Sequence, residues 1–143
     1  MHNISIDDTD PSITYQGIWT PDFENASSLY YGGTLAASTD PNANATLMFT
    51  GTHYRGVFVC FNFIKSFPGV AVYYLSSLWT FPVSVDISID FEDSVSVNLT
   101  VPNDSTEPSS QPMWEATGLT NGTHEVVISM SEGSTSMVVD GFM

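Results

Sequence analysis

The run Val83-Ser84-Val85-Asp86-Ile87-Ser88-Ile89-Asp90 alternates apolar and polar residues throughout, and after Phe91-Glu92-Asp93 the pattern resumes as Ser94-Val95-Ser96-Val97-Asn98-Leu99-Thr100-Val101. Successive side chains of a strand point to opposite faces. Val83, Val85, Ile87 and Ile89 therefore share an inner face, continued by Val95, Val97, Leu99 and Val101. Asp86 and Asp90 share the outer one. Two half-buried antiparallel strands joined as a hairpin are expected.

Working outward, residues 12–19, 45–50, 124–130 and 134–142 read as further strands, and 70–75 as a strand apolar on both faces. Leu29-Tyr30-Tyr31 reads as a strand that continues through residues 34–37 beyond a bulge at Gly32-Gly33. Thr120-Asn121-Gly122-Thr123 is a turn signal. Pro102, Pro108 and Pro112 mark 102–112 as an exposed loop. No segment carries an amphipathic helical stripe. About eight short strands with this punctuation predict an all-β antiparallel sandwich, a jelly roll, with residues 1–143 as one domain.

Composition sets limits on partners. The 143 residues include 16 Asp and Glu but two Lys and Arg, a formal net charge of -14. Phosphate contacts are made mainly by Lys and Arg, so a nucleic-acid partner is not expected, nor is a polybasic membrane patch. At 42% hydrophobic and 13% aromatic, the chain has enough apolar surface for a core. It has no 18-residue apolar run, so no membrane span is expected in this chain. Polarity comes instead from 19 Ser and 15 Thr. Asn3, Asn25, Asn44, Asn98, Asn103 and Asn121 all open N-x-[ST] sequons, where eight Asn in such a chain would give about two by chance. N-glycosylation and an extracellular or cell-surface location are the expectation. The N-terminus has no signal-like apolar region, and the sole Cys60 cannot form an internal disulfide.

Residues 53–69 differ from their surroundings. They hold both basic residues, Arg55 and Lys65, the only Cys, and four of the nine Phe. They read either as an irregular insertion or as a translated, retained intron. The second reading is preferred, and the spliced transcript tests it.

The series Ile6-Asp7-Asp8-Thr9-Asp10-Pro11-Ser12-Ile13-Thr14-Tyr15, Gly17-Ile18-Trp19, Tyr31-Gly32-Gly33-Thr34-Leu35 and Met48-Phe49-Thr50-Gly51-Thr52 continues in Val85 to Asp90, Ala116 to His124 and Val138-Val139-Asp140. It resembles the extracellular domain of many surface proteins of mushroom-forming (basidiomycete) fungi. That domain is similar to galactose-binding-like jelly rolls and often precedes a single membrane span. The resemblance implies that this chain is a fragment of a longer, membrane-anchored protein. It spans nearly everything except 53–69, where family members pass directly into a strand like Val70-Ala71-Val72-Tyr73-Tyr74.

Candidate sites follow from residue chemistry. Trp79 and Phe81, in the segment 76–82 between strands, are the first candidates for stacking on a sugar, with Trp19 and Tyr15 as secondary candidates. Asp7, Asp8 and Asp10 near the start and Asp140 near the end could together supply hard oxygen ligands to a structural Ca²⁺, the only cofactor considered. Catalytic residues are not assigned. His124 and Glu125 are strand neighbours facing opposite ways, no Gly-x-Ser-x-Gly elbow occurs, and Asp86 with Asp90 as a glycosidase pair is a remote third reading. The leading expectation is a non-catalytic extracellular recognition module binding a glycan or cell-wall polysaccharide. The alternative is a structural glycoprotein ectodomain without a small ligand.

Overall fold

The computed structural model describes residues 4–21, 28–51, 70–102 and 109–143. Residues 53–69, and the intron reading with them, lie outside the described residues, as do Asn3, Asn25 and Asn103. In chain order the strands are β1 (Ile6–Asp7), β2 (Ile13–Gln16), β3 (Ala36–Ser38), β4 (Asn44–Gly51), β5 (Val70–Ser76), β6 (Ser84–Ile89), β7 (Val95–Asn98), β8 (Gln111–Leu119), β9 (Gly122–Met130), β10 (Met137–Val139) and β11 (Gly141–Phe142). Among the described residues the only helical element is a 3-10 turn at Tyr31–Gly33.

A five-stranded sheet in the order β2-β4-β9-β6-β7 faces a four-stranded sheet in the order β1-β11-β5-β8, and the short pair β10-β3 joins them. Every pairing between these strands is antiparallel. One core connects the layers: Ala45, Leu47, Val85, Ile87, Val126 and Ile128 from the large sheet meet Val72, Tyr74 and Phe142 from the other. Each such aliphatic side chain, taken out of water, stabilises the fold by about 1.5–3 kcal/mol. The Tyr74 hydroxyl is satisfied inside this core by the carbonyl of Val138, 2.8 Å away. The chain is thus the all-β antiparallel sandwich its alternation predicts.

The hairpin forms, with Val85 opposite Val97 and Ile87 opposite Val95. Its last turn departs from the pattern. Asp90 and Phe91 adopt positive φ, 51° and 64°, so Asp90 leaves the strand face it would have shared with Asp86. Val95 is 53% exposed because β7 is a sheet edge with no further strand beside it.

Three other readings change. Residues 29–31 are not a strand: Gly32 and Gly33 take φ of +64° and +93° and turn the chain before β3 begins. The final strand divides at Asp140, so that β10 pairs with β3 while β11 lies between β1 and β5. A nine-residue strand, β8, lies where the sequence gives weak signals, because Pro112 and Gly118 interrupt an edge strand paired only to β5. No helix among the described residues is long and apolar enough to cross a membrane.

Candidate carbohydrate site and acidic strand junction

Trp79 does not form an exposed platform. It is 1% exposed, stacked 6.0 Å from Tyr30 and packed 5.4 Å from Phe81. Its backbone is fixed by Leu99 and Val101, whose carbonyl and amide it meets at 2.8 and 2.7 Å. A sugar cannot reach a ring already covered on this scale. Phe81 is half-buried against Trp79 and belongs to the same core. The expectation for Trp79 is therefore corrected: its ring closes the sandwich.

The secondary pair is placed differently. Tyr15 on β2 and Trp19 just beyond it meet edge to face, with ring centroids 4.8 Å apart. The Trp19 indole N–H donates to the Gln16 carbonyl at 2.9 Å, which fixes the ring, and the Tyr15 hydroxyl donates to the Asp8 carbonyl at 2.8 Å. Burial, then the charges of Asp8 and Asp7, push the Tyr15 phenol above its ordinary range, so it remains a donor. Both rings line an open pocket of about 360 Å³, completed by Asp8, Thr9, Asp10, Pro11, Ile13, Pro21 and Ala36. Apolar walls with a few convergent polar groups are what small-ligand sites generally present.

The pocket adjoins the place where the chain's two ends meet. Asp7 lies opposite Gly141 in the β1–β11 pair, and the Asp8 amide donates to the Asp140 carbonyl at 3.2 Å. Asp140 is 0% exposed. Its Oδ1 accepts the Tyr31 amide at 2.7 Å, and the Ser110 side chain also acts on the carboxylate. Burial raises its carboxyl to about 6, helped by the neighbouring charges of Asp8 and Asp7 and opposed by Ser110 and the Tyr31 amide. Asp8 accepts the Thr34 hydroxyl at 2.7 Å. The Oδ2 of Asp7 accepts the Thr9 hydroxyl at 3.1 Å, but its Oδ1 is buried and unbonded. Gly32 admits this arrangement, since a Cβ there would collide with the Asp7 carboxylate.

Asp7, Asp8 and Asp140 thus lie near one another at the β1–β11 junction, while Asp10 is held apart. Its Oδ1 accepts both the amide and the hydroxyl of Ser12, at 2.8 and 2.7 Å, and these bonds hold its carboxyl below the usual range. The unbonded Asp7 Oδ1 is the hard donor type that Ca²⁺ takes. Among the described residues, however, no three acidic, His or Cys side chains converge in metal-binding geometry.

One pairing was not read from the sequence. His124 Nδ1 lies 2.7 Å from Asp90 Oδ2, and its Nε2 lies 2.8 Å from the Thr120 carbonyl. A carbonyl only accepts, so Nε2 carries a proton, and a carboxylate opposite Nδ1 calls for a second. The Asp90 hydrogen bond first, then the Thr120 carbonyl, raises the His124 pKa above its ordinary value. The glycosidase pairing of Asp86 and Asp90 is overturned by the same geometry: Asp90 turns to His124, while Asp86 accepts the Ser131 hydroxyl. The signal that could have revealed the new pair is Asp90 at a hairpin turn and His124 at an apolar, inward-facing position of β9.

Of the sequons, Asn98 and Asn121 are exposed and Asn44 is half-buried at the start of β4.

No protein-family model and no curated protein sequence matches the chain. Its likeness is to solved structures. The family 35 carbohydrate binding module from Clostridium thermocellum is similar over 98% of this chain and 96% of that one, with a TM-score of 0.59 and 11% identity. The exo-β-1,3-galactanase from Phanerochaete chrysosporium, in its complex with galactose, is similar over 99% of this chain but 29% of the enzyme, at a TM-score of 0.59 and 12% identity. The Podospora anserina GH26-CBM35 β-(1,4)-mannanase matches 97% of this chain and 26% of its own, at 0.58 and 13%. The chain thus spans under a third of these two enzymes and nearly all of the isolated module. Its fold is the jelly-roll sandwich of carbohydrate-binding modules.

Proposed function

We propose that this chain is a non-catalytic carbohydrate-binding module that acts outside the cell, as a surface domain of a fungal membrane-anchored protein. The single observation that carries the glycan reading is the open pocket walled by Trp19 and Tyr15, with carboxylate and hydroxyl groups beside the rings. A sugar presents one apolar face to an aromatic ring and hydroxyls around its rim, and this lining offers partners to both. Whole-chain similarity to an isolated binding module supports it. The extracellular placement rests on the six sequons and the hydroxyl-rich surface.

The test is a glycan panel that includes β-1,3-galactotriose and mannan oligosaccharides, probed with the wild-type chain and with Trp19→Ala. Binding that disappears in the folded variant supports the reading. Binding that survives Trp19→Ala, or none to any glycan, refutes it.

A second reading, a structural glycoprotein ectodomain, is favoured by the surface positions of Asn98 and Asn121. It predicts glycan occupancy without ligand binding.

A further inference from the structure

The lining of the Trp19 pocket also bears on which glycans fit it, an inference that rests on the carbohydrate reading above. The rings and prolines would serve any sugar. The polar part of the lining is selective, because it consists of Asp8, Thr9 and Asp10. Asp10 commits Oδ1 to Ser12, and its Oδ2 receives no hydrogen bond from the described residues. Asp7 adds a further carboxylate next to Asp8. Among the described residues no Lys or Arg lies beside these groups, and the chain as a whole carries -14. A negative potential over an aromatic wall repels uronic-acid chains and attracts cations.

We infer that the pocket takes a glycan bearing free amino groups, such as a glucosamine oligomer, with an ammonium group on Asp10 Oδ2 and a sugar ring against Trp19. The neutral, N-acetylated chain of the same linkage fills the same space but offers no charge to Asp10. Discrimination between the two then comes from one charge-assisted hydrogen bond and the surrounding field.

The experiment compares a β-1,4-glucosamine hexamer with its fully N-acetylated counterpart by calorimetry at pH 5.5, at 50 and 300 mM NaCl. Wild type, Asp10→Asn and Trp19→Ala are used, each checked for folding by circular dichroism. Asp10→Asn retains the Oδ1 acceptor for Ser12 and so retains the turn. The expected result is at least tenfold tighter binding of the glucosamine hexamer at 50 mM NaCl. That preference should shrink on raising the salt, fall below threefold in Asp10→Asn, and vanish with all binding in Trp19→Ala. If Trp19→Ala retains the glucosamine hexamer, the attraction is bulk charge and the inference falls. If both hexamers bind equally through Trp19, the amino-sugar assignment fails while the carbohydrate reading stands. If neither they nor the wider glycan panel bind, the carbohydrate reading fails too.

Discussion

Replacing Asp90 by Asn removes one charge from the β6–β7 turn and keeps its shape, because the remaining carbonyl oxygen can still accept the Glu125 amide that Asp90 Oδ1 holds at 2.9 Å. What is lost is the charged partner of His124. A hydrogen bond between charged groups contributes about 1.5–3 kcal/mol when shielded from water. Here His124 is almost covered but the Asp90 side chain is 40% exposed, so solvent screens the pair toward the lower end. The expected cost of Asp90→Asn is about 1 kcal/mol, a fall of about 2–4 °C in Tm for a chain of this size. His124→Ala costs more, about 3 kcal/mol. It also leaves the Thr120 carbonyl without its donor and removes a ring packed 5.4 Å from Phe49.

The pH dependence separates this interaction from packing. The folded His124 pKa is raised above 6.5, so its stabilising contribution is complete below pH 6.5 and is lost as pH rises through the raised value. The folded Asp90 pKa is lowered below 3.8, chiefly by the His124 hydrogen bond, so its contribution is present above 3.8 and is lost as pH falls through the lowered value. Wild type should therefore exceed Asp90→Asn most between these limits, near pH 5, and least at about pH 2.5 and pH 9. Glu92 and Asp93 lie in the same turn and the Glu125 backbone bonds Asp90; all three are present in both proteins, so they largely cancel from the difference. Urea unfolding at the three pH values measures it. A difference independent of pH, or greatest at pH 9, would refute the charged pair.

Phe91 is 88% exposed and sits at φ 64°, a conformation its side chain disfavours. Phe91→Gly should raise stability by about 0.5–1 kcal/mol in the same unfolding assay, relief of strain outweighing the added freedom of the unfolded chain. Gly32→Ala should do the opposite. It combines φ +64° with a collision at the Asp7 carboxylate, and a loss of at least about 2 kcal/mol is expected, read as a fall in Tm.

The parts of the fold visible in the sequence are those where one physical term dominates. Strict alternation from Val83 to Ile89 has no competing period, so β6 and its inner face follow from it. β8 was obscured because an edge strand next to solvent tolerates Pro112, Glu115 and Gly118, which remove the alternation that would announce it. Trp79 illustrates a different difficulty. A tryptophan between strands in a Ser- and Pro-flanked segment has the same local sequence whether it covers the core or faces a ligand, and only the positions of Tyr30 and Phe81, remote or neighbouring, decide between the two. That Asp7 and Asp8 lie beside Asp140 follows from the pairing of the first strand with the last. Asp10, two residues on, was captured instead by Ser12, a local interaction that wins because it costs no chain ordering beyond the turn itself.

The junction and the pocket are not independent, since the segment 8–10 belongs to both. Asp8 takes the Thr34 hydroxyl on one side and offers its carbonyl to the Tyr15 hydroxyl on the other, so the phenol ties the aromatic wall to the strand pairing at the chain ends. Tyr15→Phe deletes that tie while keeping the ring that meets Trp19. The carbonyl of Asp8 loses a partner at a half-buried position, which costs about 1 kcal/mol of stability. If the pocket depends on the placement of Asp10 relative to Trp19, ligand affinity should fall by more than stability does. A decrease of about fivefold or more in glycan binding is expected, with the near-ultraviolet circular dichroism of the folded protein retained. An affinity unchanged in Tyr15→Phe would mean that the wall and the carboxylates are held in place separately, and that the strand junction does not position the site.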